Sequence, residues 1–505
     1  MSVNERAEEM RDHIRYTSLK SRSKVTILAH SLYSTTFIRK YGILCVILLL
    51  GLGYLFYQRV LYQKYIYHTL PAYQRSVNFK LNSKVSRDHY QPDRWQPIGD
   101  PAKRFQIYSA YFDSRLEIVE SIPVPRGVLP FGSVRIIAIL PLNIRRADVF
   151  CNFRYENYPD VRRFRADQVE PIHENFDLPF SALFIVCKLV GSEDSTEITL
   201  PNEVGLSYDA EASMINATTF VGIHYHKWNL LPQGQLNNQL AVCVGPLHNY
   251  TNAARIVEFV EYWKLLGAER IYLYNKSSST DVGKVLRYYS ERGEAEVHDW
   301  NLEGYEFEQD LRYEGIFAAL NDCLYRATVL GEYTYTALVD LDEFLLPAGS
   351  PGGLIHFLTE RDRYDVHSFN FRAVFFYSFY EEDFSRKPPW TNNSYLYTQV
   401  RNLRTSSPLM HHNRSKYIAK GRSVIEAGNH FVWSALRDTK EYRVPEDEGL
   451  LFHYRDNCVG YGCEAYIEDN RARRYENRIW PAVDTVCRTI FPAYGGVCPL
   501  GDGGD

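Results

Sequence analysis

The sequence predicts a chain of the α/β class, with a parallel sheet covered by helices, a smaller all-β unit before it and one apolar span near the N-terminus. Three observations carry this. From Gln239 onward, short apolar runs alternate with amphipathic segments, the grammar of strand–helix–strand units. Between residues 105 and 230 the text is a series of β-rich runs broken by Pro, Gly and Asn. Residues 41–57, YGILCVILLLGLGYLFY, carry no charge.

The apolar span comes first in the chain. At about 1.5 Å per residue it sits at the lower limit for crossing a bilayer. Arg22, Lys24, Arg39 and Lys40 precede it and favour a cytoplasmic N-terminus. The expected topology is single-pass type II: residues 1–40 a cytoplasmic tail, 41–57 the transmembrane helix and 58–104 a polar stem. A short span suits early secretory membranes, and the Golgi is the expected location. Cys45 lies in the span, and the other eight cysteines form an even set on the predicted lumenal side, enough for four disulfides. Sequons at Asn216, Asn249, Asn275, Asn392 and Asn413 agree with a lumenal chain. A net charge of −4 argues against a nucleic-acid partner, which normally requires a basic stripe.

Residues 105–232 read as a β-sandwich, in which Cys151 and Cys187 sit on separate runs able to pair. Residues 233–456 read as a Rossmann-like domain. LAVCVGPL is its first strand. AARIVEFVEYWKLLG sets Ile256, Phe259, Val260 and Trp263 on one helical face and stops at Gly267. RIYLYN, a helix, AEVHDW and a second helix (308–328) lead to a fourth strand, TYTALVDLDEFLLP. Cys243 and Cys323, in adjacent elements, pair or stay as buried thiols. Residues 457–505, with four cysteines among what read as short loops, form a disulfide-tied cap.

Ligands of such sheets bind beyond the carboxyl ends of the strands, where Asp340 and Asp342 stand. No G-x-G-x-x-G or G-x-x-x-x-G-K occurs, so dinucleotide and P-loop readings fail. In a strand the two aspartates would project to one side, with Leu341 and Glu343 on the other. Paired carboxylates suit a hard ion such as Mn²⁺ or Mg²⁺ that keeps positions open for phosphate oxygens. The resulting picture is a nucleotide-sugar site. A solvated acidic strand end is the plain alternative, but this is the only D-x-D in the chain.

Several phrases in order (YSAYFDSR at 108–115, VFCNF at 149–153, CVGPL at 243–247, NDCLYR at 321–326, VDLDEFLLP at 339–347, SKYIAK at 415–420 and HYR at 453–455) resemble glycosyltransferase family 92. The resemblance implies the GT-A fold and type II Golgi enzymes, inverting β-1,4-galactosyltransferases that use UDP-galactose and Mn²⁺ on glycan acceptors of glycoproteins or glycolipids. Asp340 and Asp342 would be the metal and ribose carboxylates, with His430 as the late histidine ligand and His453 as its alternative. Uridine would lie near Val244, Pro246, Tyr274 and Asn275, leaving no room for a glycan on Asn249 or Asn275. Inversion needs a carboxylate base, and Glu381, Glu382 and Asp383 are the candidates, with Glu426 a further one. Lys416 and Lys420 are candidate phosphate contacts. Two other readings stay open: a transferase for another UDP-sugar, and a non-catalytic glycan-binding membrane protein.

Overall fold

The computed structural model describes Gly51 and residues 78–80, 94–99, 104–115, 118, 128–156, 158–192, 197–208, 219–225, 238–349, 353–393, 395–458 and 463–501. Apart from Gly51, the expected span 41–57 lies outside them, as does most of the stem. No helix among the described residues is long and apolar enough to cross a membrane.

The first large element is a sheet. Its strands are β1 (Gln106–Asp113), β2 (Val128–Pro141), β3 (Val149–Tyr155), β4 (Tyr158–Arg165), β5 (Gln168–Pro171), β6 (Phe180–Ser192), β7 (Glu203–Tyr208) and β8 (Phe220–His224). They run in the order β4-β3-β7-β8-β1-β2-β6-β5, with the short strand Gln96–Pro97 beside β1, making one nine-stranded sheet instead of two separately bonded layers. Cys151 of β3 and Cys187 of β6 are disulfide-linked with their Cα atoms 6.5 Å apart. Five strand spacings would separate them by about 24 Å in a flat sheet, so the sheet curls back on itself.

The second sheet holds β9 (Asn238–Leu247), β10 (Arg270–Asn275), β11 (Ala295–Asp299), β12 (Tyr333–Val339), β14 (Val366–Phe371), β16 (Lys416–Lys420) and β19 (Lys440–Arg443), in the order β11-β10-β9-β12-β16-β14-β19. The first four are parallel, and β16 runs against β12. Helices α1 (Ala253–Leu266), α2 (Thr280–Glu291) and α3 (Ile316–Val329) make the crossovers. Asn252 caps α1 through the Arg255 N–H, and Gly267 ends it at φ 104°, a left-handed turn that favours glycine. A small sheet pairs β13 (Glu343–Pro347), β20 (Gly449–Arg455) and β15 (Ala373–Tyr377) in the order β13-β20-β15.

The tail differs from the expected set of loops. Helix α4 (Glu476–Ile490) buries Ile479, Trp480 and Val483 in the same core as α1. The remaining disulfides are Cys243–Cys323, Cys458–Cys463 and Cys487–Cys498.

The curled sheet meets α3 through Arg115, whose Nη2 donates to the Tyr325 hydroxyl at 2.9 Å. Asp113, 5% exposed, takes Arg115 Nη2 at 2.7 Å, and Arg135 Nε lies 3.8 Å away. Burial alone would raise its pKa, but Arg115 and Arg135 together outweigh burial and hold the carboxyl below its ordinary 3.8. A depressed folded pKa contributes stability above the unfolded value, and that stability is lost as pH falls through the folded one. The urea midpoint of the wild type is therefore expected to drop more steeply below about pH 4 than that of D113N.

Candidate active site

Strand order decides where a site can form. β9, β10 and β11 step one way across the sheet, and β12 returns to the other flank of β9, so a crevice opens beyond the ends of β9 and β12. A cleft of about 780 Å³ lies there, lined by Val244 and Pro246 from β9 and by Asp340, Leu341, Asp342 and Glu343 after β12.

The two aspartates do not stand on a strand. β12 stops at Val339, and a turn closed by the Glu343 N–H on the Asp340 carbonyl (3.1 Å) leads into β13. Strand alternation, expected to send Glu343 to the opposite face, does not apply across a turn. Glu343 lines the cleft too, and its Oε2 accepts the Asp340 N–H at 2.8 Å.

Basic groups balance these acids. Lys416 of β16 brings Nζ to 3.1 Å from Asp340 Oδ2, 3.5 Å from Glu343 Oε2 and 2.7 Å from Asn429 Oδ1. His453 stands opposite Glu343 in the β13–β20 pair. Its Nε2 is 3.1 Å from Asp342 Oδ2, and its Nδ1 is 3.2 Å from Glu343 Oε1 without hydrogen-bond alignment. Arg255, in the first turn of α1, and Arg455, at the end of β20, complete this wall.

Burial would lift the Asp342 carboxyl, but His453, together with Arg455 and Arg255, outweighs burial and holds it below its ordinary value. Burial likewise opposes charge on His453, and the two carboxylates raise its pKa in spite of it. Glu343, 1% exposed, is pushed up to about 7, chiefly by burial and against the pull of Lys416.

These donors fit a hard cation. Adjacent ligands of an octahedral ion bonded at about 2.1 Å lie about 3 Å apart, the spacing of Asp342 Oδ2 and His453 Nε2. Metal-binding histidines commonly have a carboxylate near the other ring nitrogen, and Glu343 stands 3.2 Å from it here. Among the described residues no three His, Cys, Asp or Glu side chains close round one point. An ion here would leave positions for substrate oxygens, as Mg²⁺-type sites do.

His430 also lines the cleft, but its Nδ1 bonds the Ser415 carbonyl at 3.1 Å, and burial, then Lys416, pushes its pKa down to about 4. The structure therefore brings His453, not His430, against Asp342. Of the residues expected under the uridine, Val244 and Pro246 line the cleft. Tyr274 does not: it is fully buried, donates its hydroxyl to Asp322 at 2.6 Å and packs on Trp300. Asn275 lies outside the lining residues with its Oδ1 sealed from solvent, and His248 and Tyr250 line the cleft after β9.

Glu381, Glu382 and Asp383 are not in the cleft. They follow β15 of the small sheet, where arginines anchor the last two. Glu382 accepts Arg401 Nε at 3.0 Å, and Asp383 pairs with Arg473 at 2.6 Å. Hydrogen bonds from Ser385, then Arg473, hold Asp383 at about 2, too acidic for a base near neutral pH. Glu381 is exposed. Glu426 is buried against His173, and Lys420 bonds Asp362 at 2.5 Å, away from the site. The sequence does not single out Glu343, Arg255, Arg455 or Glu174 as site residues; SKYIAK and HYR are the phrases that fall on this wall.

A model of glycosyltransferase family 92 matches residues 238–490, half of the chain. The chain belongs to glycosyltransferase family 92. The matched segment of this family 92 protein holds every cleft residue except Glu174 and Phe176, and it runs beyond 456 to include α4. A Caenorhabditis elegans relative named beta-1,4-galactosyltransferase galt-1 is 29% identical over 251 residues, 48% of this chain and 51% of the relative. Glycosyltransferase family 92 protein F13G3.3 of the same organism is 28% identical over 116 residues, 21% and 23% of the two chains. The family 92 chain thus aligns with about half the length of the first relative and about a quarter of the second. Among solved structures, glucosyl-3-phosphoglycerate synthase from Mycobacterium tuberculosis in complex with phosphoglyceric acid is 12% identical, covering 54% of this chain and 83% of that one at a TM-score of 0.22.

Proposed function

We propose that this family 92 chain is a metal-dependent inverting glycosyltransferase of GT-A type, moving galactose from UDP-galactose in β-1,4 linkage onto a glycan acceptor in the Golgi lumen. The observation that supports it most is the Asp342–His453 pair, 3.1 Å apart, in the crevice between β9 and β12. The name of the Caenorhabditis elegans relative supports galactose as the transferred sugar and the β-1,4 linkage. Four disulfides are in keeping with an oxidising lumen, and residues 41–57 would supply the type II anchor.

Asp342 and His453 would hold Mn²⁺ or Mg²⁺, with Asp340 shared between the ion and the ribose. Such an ion neutralises charge gathering on a departing diphosphate. The protein does the rest. Val244 and Pro246 floor the nucleotide, Arg455 adds positive charge, Arg255 stands beside it paired with Glu258, Lys416 holds the Asp340 carboxylate in place, and Glu343 lies 3.2 Å from the other ring nitrogen of His453.

Calorimetric titration of the full-length chain with Mn²⁺ in the presence of UDP separates the two histidines. H453A is expected to weaken Mn²⁺ binding by at least about tenfold, the scale of losses at metal centres, and H430A much less. The reverse order would remove His453 from the metal and reinstate His430.

A further inference from the structure

If the cleft transfers a sugar with inversion, a carboxylate must take the acceptor's proton. The cleft offers few. Glu308 and Glu314, on the side of β9 and β10, are tied to Arg312 and Lys276, while Asp340, Asp342 and Glu343 face Lys416 and His453. One lining carboxylate remains, and it comes from the curled sheet.

We propose that Glu174 is the general base of this site, so that the sheet preceding the matched domain supplies a catalytic residue to it. Glu174 lies on the connection between β5 and β6, outside the family match, yet it lines the same cleft as Asp340 and Asp342. Its Oε2 accepts the Asn429 N–H at 2.6 Å, and Asn429 Oδ1 holds Lys416, which holds Asp340. Three contacts therefore fix the distance from Glu174 to the acidic turn.

The connection itself is braced. Phe176 and Asp177 adopt φ of 58° and 54°, left-handed values that non-glycine residues keep only when their surroundings impose them. Asn175 imposes them, donating to the Ile172 carbonyl at 3.1 Å and accepting the Asp177 N–H at 3.0 Å. Backbone strain of this kind gathers at functional sites. Burial also lifts the Glu174 carboxyl above its ordinary range, which suits a proton acceptor. Lys416 and Glu426 are the charged groups that face it.

The acceptor hydroxyl oxygen bonds to the anomeric carbon, the bond from that carbon to the β-phosphate oxygen breaks with its electron pair leaving on UDP, and the hydroxyl proton passes to a Glu174 oxygen.

This assignment rests on the transferase reading, and one experiment separates the two. Full-length wild type, E174Q and E174D are assayed with labelled UDP-galactose and other UDP-sugars on defined oligosaccharides, alongside UDP affinity and melting temperature. E174Q keeps the shape and one acceptor oxygen, so its kcat is expected to fall by about 10²–10⁴ with UDP affinity and melting temperature held, and E174D to recover part of the loss. An active wild type with E174Q within about threefold of it, or a loss that tracks UDP affinity or melting temperature, overturns the assignment alone. A wild type inert with every donor overturns the transferase reading and this assignment with it.

Discussion

D342N is expected to cut sugar transfer by about three orders of magnitude while leaving the fold intact. Two effects combine. The amide replaces a charged ligand by a neutral one at the point where Asp342 Oδ2 and His453 Nε2 stand 3.1 Å apart. It also removes the larger of the two anionic influences that raise the His453 pKa, and with it the hydrogen bond to the ring's Nε2. Loss of one preorganised charge contact at a reacting centre costs about 10²–10³ in rate, and loss of the ion itself adds to that. Stability should change little, since Asp342 sits 22% exposed in a turn at a cleft rather than in a packed layer. The measurement is UDP-sugar hydrolysis and transfer by wild type and D342N across a Mn²⁺ series. Equal rates in the two proteins would end the enzymatic reading of the acidic turn, whereas a D342N defect overcome by excess Mn²⁺ would place Asp342 in metal affinity alone.

The alternation of strand and helix from Gln239 was legible because it depends on local periodicity, and β9, α1, β10, α2, β11, α3 and β12 appear in that order. The position of the acidic pair followed from the same pattern. What it did not convey was the turn. Val339-Asp340-Leu341-Asp342-Glu343 reads as one strand, but its two ends belong to different sheets, and the turn between them lets Asp340, Asp342 and Glu343 all face one cleft. The second wall was harder for a different reason. Glu174, His453 and the neighbouring pair Lys416 and Asn429 come from three distant segments, and no spacing within any one of them carries information about the others. Glu381–Asp383 drew notice through local charge density, which reports solvation or ion pairing as readily as catalysis. The arginines that bind them, Arg401 and Arg473, are 18 residues or more downstream. In the same way, YSAYFDSR and NDCLYR were visible only as separate phrases, although they form one buried network.

That network supports the second large effect, on stability. Asp322 is completely buried on α3. Its Oδ1 accepts Ser109 Oγ at 2.5 Å and Tyr111 OH at 2.6 Å from the curled sheet, and its Oδ2 accepts Tyr274 OH at 2.6 Å from β10. Arg326, one turn along α3 and 3% exposed, reaches Oδ2 at 3.0 Å and Oδ1 at 3.2 Å. Every one of these neighbours donates. An asparagine would turn its own NH₂ toward donors at one oxygen position and present Arg326 with a neutral group in a place nearly without water. Breaking a buried charge pair from one side costs about 3–5 kcal/mol, against about 1 kcal/mol for a single neutral hydrogen bond. D322N is therefore expected to lower the urea midpoint and the yield of folded protein sharply, while S109A and Y274F shift the midpoint only slightly. Because Ser109 and Tyr111 belong to the sheet that carries Glu174, the double variant S109A/Y111F should also slow transfer more than its loss of stability explains, by letting that sheet shift against α3. A D322N protein within about 1 kcal/mol of wild type would show that Asp322 does not fasten the two sheets together, and S109A/Y111F with wild-type kcat would show that the site tolerates the looser joint.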